Sequence, residues 1–246
     1  MDDPQLRETR AGSFGANAAL YAEHRPGYPV DAVEWAIGDR VRVLDLGAGT
    51  GKLTEALLEL GVDVTAVEPD PLMRAELARR LPDVPTVDGR AEAIPLGDAS
   101  VDAVLAGQAF HWFDNAEALA EITRVLRPGG VFGALWNAYD DSVPWVKTLV
   151  SLTATSVSNP SAPAPRHVPR HELLGEVEEN TFKHQVLRTV DSMVGSLRTF
   201  SHIAVAPDDE REAVLAKAQE YLSGLPDSRG TFYQPLLCEV VRAVRR

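Results

Sequence analysis

The sequence predicts an α/β fold with a mostly parallel sheet, on three observations. Short apolar runs recur at residues 41–46, 62–67, 84–87, 101–105 and 131–136. Helix-like segments separate several of them, at 52–60, 71–80 and 115–126. The first apolar run opens directly into Gly47-Ala48-Gly49-Thr50-Gly51. Apolar runs of strand length fit strands covered on both faces, and their alternation with helices reads as βαβ units.

The elements follow in order. Pro29, Val30, Val33 and Trp35 mark a short amphipathic helix before the first strand. The helix from 115 begins at a capping-box-like pair, Asp114 and Glu117, and Arg127-Pro128-Gly129-Gly130 stops it before the next strand. Beyond Trp136 the rhythm weakens. Residues 144–155 read as a helix with Pro144 in its first turn, while Pro160, Pro163, Pro165 and Pro169 mark an irregular excursion over 156–170. A strand at 181–189, a short helix near 192–200, a longer helix at 208–222 and a closing strand at 232–244 complete the chain. The expected organisation is a single domain over 1–246. It has an N-terminal cap segment at 11–36, a ligand-binding core at 37–140, an inserted cap at 141–180 and the remaining sheet with a cap helix at 181–246.

At 246 residues the chain can bury one large core. Apolar residues make up 45% and charged residues 24%, which suits a globular protein, and no apolar run is long enough to span a bilayer. The net charge of −12 opposes non-specific attraction to nucleic acid or anionic membrane. The first ten residues hold no apolar leader, and Cys238 is the only cysteine, so a cytoplasmic setting without an internal disulfide is expected. His167 and His171 are separated by Pro169, which spoils the helix that would align them as metal ligands, so no metal is expected. Arg166, His167, Arg170 and His171 read as a solvated connector.

The glycine loop decides the class of ligand. Small residues permit a tight turn, and a helix starting near Gly51 presents free N–H groups to an anionic or carboxylate-bearing ligand. A P-loop is excluded twice: Leu46 stands where its first glycine belongs, and Leu53 replaces its magnesium-binding hydroxyl residue. A dinucleotide fingerprint is weakened because Lys52 stands where the last glycine is required. Glu68, ending the second apolar run, places a carboxylate where a ribose with free hydroxyls would bind. After the third run, Asp88-Gly89-Arg90-Ala91-Glu92 supplies Ala91 and Glu92 as a donor and an acceptor for an adenine edge. The loop Gln108-Ala109-Phe110-His111-Trp112-Phe113-Asp114 follows the fourth run and brings a base or orienting group, His111, beside Trp112, which could wall a pocket or face a cation. Phe14, Tyr21, His24 and Arg25 make the N-terminal segment too polar and aromatic for a plain tail.

These loops in their order, VLDLGAGTGKLT, VTAVEPD, GRAEAIP, QAFHWFD and LRPGG, resemble the class I S-adenosylmethionine-dependent methyltransferases. SFGANAALYAEHRPGYP and QAFHWFD are similar to the small-molecule branch that includes trans-aconitate methyltransferase-like proteins. The resemblance covers roughly residues 11 to 140. It implies a Rossmann-like, mostly parallel seven-stranded sheet with an antiparallel last strand, a helical cap and S-adenosyl-L-methionine as cofactor. Asp45, Gly47, Ala48, Gly49 and Gly51 would hold the methionine portion, with Tyr21 near its carboxylate. Glu68 would take the ribose, with Pro69 and Met73 beside it, and Gln108 would contact the cofactor. Many relatives place an acid where Arg90 stands, so Ala91 and Glu92 substitute for that adenine contact. His111, as a candidate catalytic residue, Trp112, Arg25, Asn137, Tyr139 and Arg198 would face a small-molecule acceptor, methylated at a carboxylate or hydroxyl oxygen. A nicotinamide oxidoreductase and a non-catalytic cofactor-binding domain remain the rival readings. The sequence leaves the oligomeric state open.

Overall fold

The computed structural model describes residues 15, 18–113, 115–157, 168–225 and 230–246. Among these, helices α1 (Ala18–His24) and α2 (Val30–Ile37) lead into β1 (Arg42–Leu46), α3 (Lys52–Glu59), β2 (Asp63–Val67), α4 (Pro71–Arg80) and β3 (Thr86–Val87). Then come β4 (Val101–Gly107), a 3-10 turn at Phe110–Trp112, α5 (Asn115–Val125) and β5 (Leu126–Tyr139). The chain closes with α6 (Pro144–Leu152), β6 (Leu174–Arg188), α7 (Val190–Arg198), α8 (Ser201–Ala204), α9 (Asp208–Leu222) and β7 (Phe232–Arg245).

The strands form one sheet in the order β3-β2-β1-β4-β5-β7-β6. β2–β3, β1–β2, β1–β4 and β4–β5 pair in parallel, and antiparallel pairing at the β6 side makes the sheet mixed. This is the Rossmann-like fold that the alternating pattern predicts. The described residues divide into two compact units: one holds those up to 26, 138–157 and those from 183 to 237, the other 27–137, 168–182 and 238–246.

The unit holding residues 27–137 has a three-layer core. Along β4, Val104 and Ala106 face a cluster with Leu44, Phe132 and the α5 residues Ala118, Leu119 and Ile122. Ala103 and Leu105 face a second cluster with Val43, Val33 and Ile37 of α2 and Leu53 and Leu57 of α3. Successive side chains therefore bury on opposite faces, and both faces are covered. Cys238 joins the second cluster, and burial pushes its thiol up to about 12. The other unit packs Leu149 of α6, Met193 and Leu197 of α7, Ile203 of α8 and Val214, Leu215 and Leu222 of α9 around Phe232.

Several boundaries differ from expectation. β5 begins at Leu126 with no break after α5, because Gly129 takes a positive φ of 79° and the pairing with β4 shifts register between Val101 and Ala103. A Cβ on Gly130 would lie 2.9 Å from the carbonyl oxygens of Arg127 and Asp102, so only glycine fits there. β6 starts at Leu174 rather than at residue 181. As the last strand in the sheet order it exposes Glu176, Glu178 and Glu179, and those charges hide its apolar alternation. β3 is shorter than expected, α6 ends at Leu152, and the polar N-terminal segment contains helix α1. Asp114 of the expected capping box, Phe14, Arg166, His167 and most of the Pro-rich excursion lie outside the described residues.

Candidate cofactor and acceptor sites

Four loops at the carboxyl ends of β3, β2, β1 and β4 build the first site. Gly47 and Ala48 both donate their N–H groups to the Val67 carbonyl, at 2.8 and 3.1 Å, and so tie the loop after β1 to the end of β2. Gly47, Gly49 and Gly51 all take positive φ, at 70°, 57° and 88°. L side chains are strained in that region, so the three glycines are a backbone requirement. Their surroundings differ. A Cβ on Gly47 would lie 2.8 Å from the Ala109 Cβ and 3.3 Å from Phe113, and one on Gly51 would press on Leu81 and Leu77. A Cβ on Gly49 would meet nothing within 4 Å, so open space lies over that residue.

Glu68 is the centre of this arrangement. It is buried, its Oε2 accepts from the Gly49 N–H at 2.8 Å, and its Oε1 accepts from the Asp70 N–H at 2.9 Å. Burial raises its carboxyl above the ordinary carboxylate range, against those two hydrogen bonds. Asp70 caps α4 by accepting from Leu72 and Met73, with Pro71 in the first turn. Pro69 is exposed and Met73 buried. Asp45 is fully buried at the end of β1, and its Oδ2 accepts from the Thr54 hydroxyl at 2.6 Å. Burial pushes this carboxyl up to about 7, with the Glu68 charge adding to the rise and the Thr54 bond opposing it. Asp45 Oδ1 and Thr50 Oγ1 are buried with no hydrogen-bond partner.

The third loop folds back on itself. Gly89 lies against Pro95 and Val67 so closely that a Cβ would overlap the Pro95 ring at 2.5 Å. Ala91 is buried, Glu92 half-buried, and Arg90 reaches Glu92 at 3.7 Å. Arg124 of α5 clamps the loop by donating to the Ile94 and Leu96 carbonyls. After β4, Gln108 takes a positive φ of 54°, and its Nε2 donates to the Asn137 carbonyl at 2.7 Å. The Asn137 amide in turn donates to the Gly27 carbonyl. Tyr28 packs so tightly on Gly107 that a Cβ there would meet its hydroxyl at 2.7 Å.

His111 sits on the 3-10 turn with its ring 4.9 Å from that of Trp112. Its Nδ1 accepts from the indole N–H of buried Trp136 at 3.2 Å. In the neutral ring this assigns the proton to Nε2. In that tautomer the lone pair a general base needs sits on Nδ1, where the indole N–H already engages it.

The second unit gathers other expected residues. The Arg25 guanidinium lies 4.0 Å above the Phe200 ring and 5.1 Å from that of Tyr21, and it donates to the Thr199 carbonyl. Tyr139 meets the Phe200 ring edge at 5.6 Å. Two residues the sequence reading missed, Arg188 and Gln234, are buried here, with Arg188 Nε donating to Gln234 Oε1 at 2.8 Å. Their strands showed only alternation, so nothing in the sequence singled them out. Arg198 does not join them: it is exposed on α7 and paired with Glu212 of α9. Among the described residues no cluster of His, Cys, Asp and Glu could hold a metal, and no helix is long and apolar enough to cross a membrane.

This sheet order, with a glycine loop after β1 and an acid after β2, defines a class I methyltransferase fold, and S-adenosylmethionine is its cofactor. The loops fit that group on their own geometry: open space over Gly49, a carboxylate with both oxygens at the cradle, and an unpartnered Asp45 oxygen. The chain belongs to the methyltransferase domain family, which matches residues 44–134. An uncharacterized methyltransferase of Mycobacterium tuberculosis (strain ATCC 25618 / H37Rv) is 38% identical over 215 residues, 87% of each chain. A methyltransferase-like protein of Schizosaccharomyces pombe is 34% identical over 233 residues, 89% of each chain. A solved structure described as a type II methyltransferase, from Anaeromyxobacter dehalogenans, superposes with a TM-score of 0.68 at 26% identity. That match covers 90% of this chain and 97% of the other. The nicotinamide reading of the glycine loop is set aside.

Proposed function

We propose that the chain transfers the methyl group of S-adenosylmethionine to an oxygen, carboxylate or hydroxyl, of a small molecule. Glu68 would accept hydrogen bonds from the ribose hydroxyls, and the positive-φ backbone at Gly47, Gly49 and Gly51 would let the ligand lie against the loop. Ala91 and Glu92 would meet the adenine edge, Met73 and Pro69 its flank, and Gln108 the cofactor from the β4 side. The bound sulfonium supplies an already activated methyl group. A carboxylate acceptor is ionised near neutral pH and needs alignment rather than deprotonation.

The observation that carries the oxygen assignment is the bond from the Trp136 indole to His111 Nδ1. With Nδ1 engaged by the indole N–H, a neutral His111 is suited to orienting an ionised carboxylate oxygen and unsuited to removing a proton through that nitrogen. A hydroxyl acceptor would have to give its proton to solvent as the new bond forms. Trp112, against the His111 ring, would wall the pocket. The test is S-adenosylhomocysteine release with a panel of small carboxylic acids, alcohols and amines, with products read by mass spectrometry. Oxygen methylation of an acid or alcohol is the expected product. Turnover confined to amines or carbon centres contradicts the assignment.

A further inference from the structure

The unit containing α1, α7 and α9 holds a group of buried hydrogen-bond donors with nothing to receive them. Arg188 is 5% exposed and Gln234 1% exposed, yet Arg188 Nη2 and Gln234 Nε2 have no partner. Gln234 spends its Oε1 on Arg188 Nε, which leaves only its amide donor free. Arg25 Nε and the Tyr139 hydroxyl are likewise buried without a partner; Gln234 and Ser196 flank that hydroxyl without completing a hydrogen bond of normal geometry. Tyr139 ends β5, Gln234 lies near the start of β7 and Arg188 ends β6, three consecutive strands in the sheet order. Phe200 fixes the other side, with the Arg25 guanidinium on its face and Tyr139 at its edge.

The chemistry of this group is one-sided. Arg25 and Arg188 both carry positive charge, and neither forms an ion pair with a carboxylate among the described residues. Their charges oppose each other: burial, and to a lesser degree Arg25, pushes the Arg188 guanidinium below its usual range, while the Tyr139 oxygen favours its charge. A buried guanidinium without a counter-ion is costly, and an unpaired buried donor adds to that cost. A cationic ligand would relieve neither cost, and a neutral one with acceptor oxygens would satisfy the donors but leave the charges uncompensated. An anion with several acceptor oxygens answers both, and two guanidiniums suit a carboxylate or phosphate.

We infer that Arg25, Arg188, Gln234 and Tyr139 form an anion-recognition subsite that takes a carboxylate or phosphate group. The anion chemistry rests on these four side chains, and it stands apart from the proposed methyl transfer. Thr199 positions Arg25 through its carbonyl, and Phe200 holds the guanidinium by its ring face.

The test uses the full chain in a buffer free of carboxylates and phosphate. Succinate, its neutral analogue succinamide and inorganic phosphate are titrated calorimetrically, and S-adenosylhomocysteine binding is measured on the same samples. Saturable binding of succinate or phosphate, with none of succinamide, is expected, and the stronger of the two anions tells a carboxylate ligand from a phosphate. R188M should weaken anion binding at least about tenfold and leave S-adenosylhomocysteine binding within about twofold. Without anion, R188M should also raise Tm by about 2 °C or more, because it removes an uncompensated charge. If R188M does not fold, Q234L, which deletes one donor and no charge, should weaken the anion at least about threefold. Folded wild-type protein that binds S-adenosylhomocysteine but neither anion overturns the inference. So does anion binding that R188M and Q234L leave unchanged. Loss of S-adenosylhomocysteine binding with anion binding intact instead strikes the methyl-transfer reading and spares the subsite.

Discussion

The Gly49 N–H donates to Glu68 Oε2 across 2.8 Å, so the glycine loop after β1 and the acid after β2 are one unit before any ligand arrives. The second carboxylate oxygen is held by the Asp70 N–H, which ties the same side chain to the cap of α4. Glu68 is thereby fixed in rotamer and aim. Each of its oxygens retains a further lone pair, and that free capacity is what two vicinal hydroxyls would use. Pre-organisation of this kind lowers the entropy lost on binding.

Two glycines of the same loop should respond differently to alanine. G47A puts a Cβ 2.8 Å from Ala109 and forces an L residue to φ 70°, so it should cost ~2–3 kcal/mol in denaturant unfolding. G49A adds its methyl to open space and bears only the strain of φ 57°, ~1 kcal/mol. It should instead weaken S-adenosylhomocysteine at least about tenfold, because the methyl fills the cradle. Equal destabilisation by the two, with equal binding, contradicts the loop geometry.

Asp45 makes stability depend on pH with a definite sign. Its folded carboxyl titrates near 7 against an ordinary 3.8. Below about 4 it is protonated in both states, and its burial costs nothing extra. Between about 4 and 7 the unfolded chain releases the proton while the folded chain keeps it, so stability falls as pH rises, by up to ~4 kcal/mol. Above 7 the loss levels off. Glu68, also raised, adds to the same slope. D45N should flatten the decline between pH 4 and 7 and gain stability at pH 8 relative to wild type. A D45N profile parallel to wild type would rule out the buried-acid account.

How far the sequence carried is clear from particular elements. β1, β2 and β4 bury both faces, so their apolar runs were legible without tertiary information. The glycine loop and Glu68 were legible because their chemistry admits few substitutes. β6 was half missed because its exposed glutamates interrupt the alternation, and Thr189 with Ser192 forms a capping box at α7 whose reciprocal bonds the residue types alone did not announce. Arg188 and Gln234 could not be read as a site at all. They lie 46 positions apart, and only the pairing of strand ends brings their side chains together. Arg198 illustrates the reverse: its residue type suited an acceptor contact, and the neighbouring helix supplied Glu212 instead.

His111 should separate turnover from cofactor binding. H111A removes the Nε2 donor and should lower kcat by ~10–100-fold on the true acceptor, with S-adenosylhomocysteine affinity changed less than about threefold. W136F removes the N–H that fixes the tautomer and should lower kcat by a smaller factor while preserving the fold. Turnover unchanged in H111A removes His111 from the site.

The central claim is that Glu68 and the glycine loop form an S-adenosylmethionine cradle, and calorimetric titration of S-adenosylhomocysteine into wild-type and E68A protein tests it most directly. Saturable one-to-one binding by wild type is predicted, weakened ~10–100-fold in E68A through loss of the charged acceptor. Folded wild-type protein that shows no binding at millimolar ligand, or E68A that binds as tightly as wild type, would contradict it.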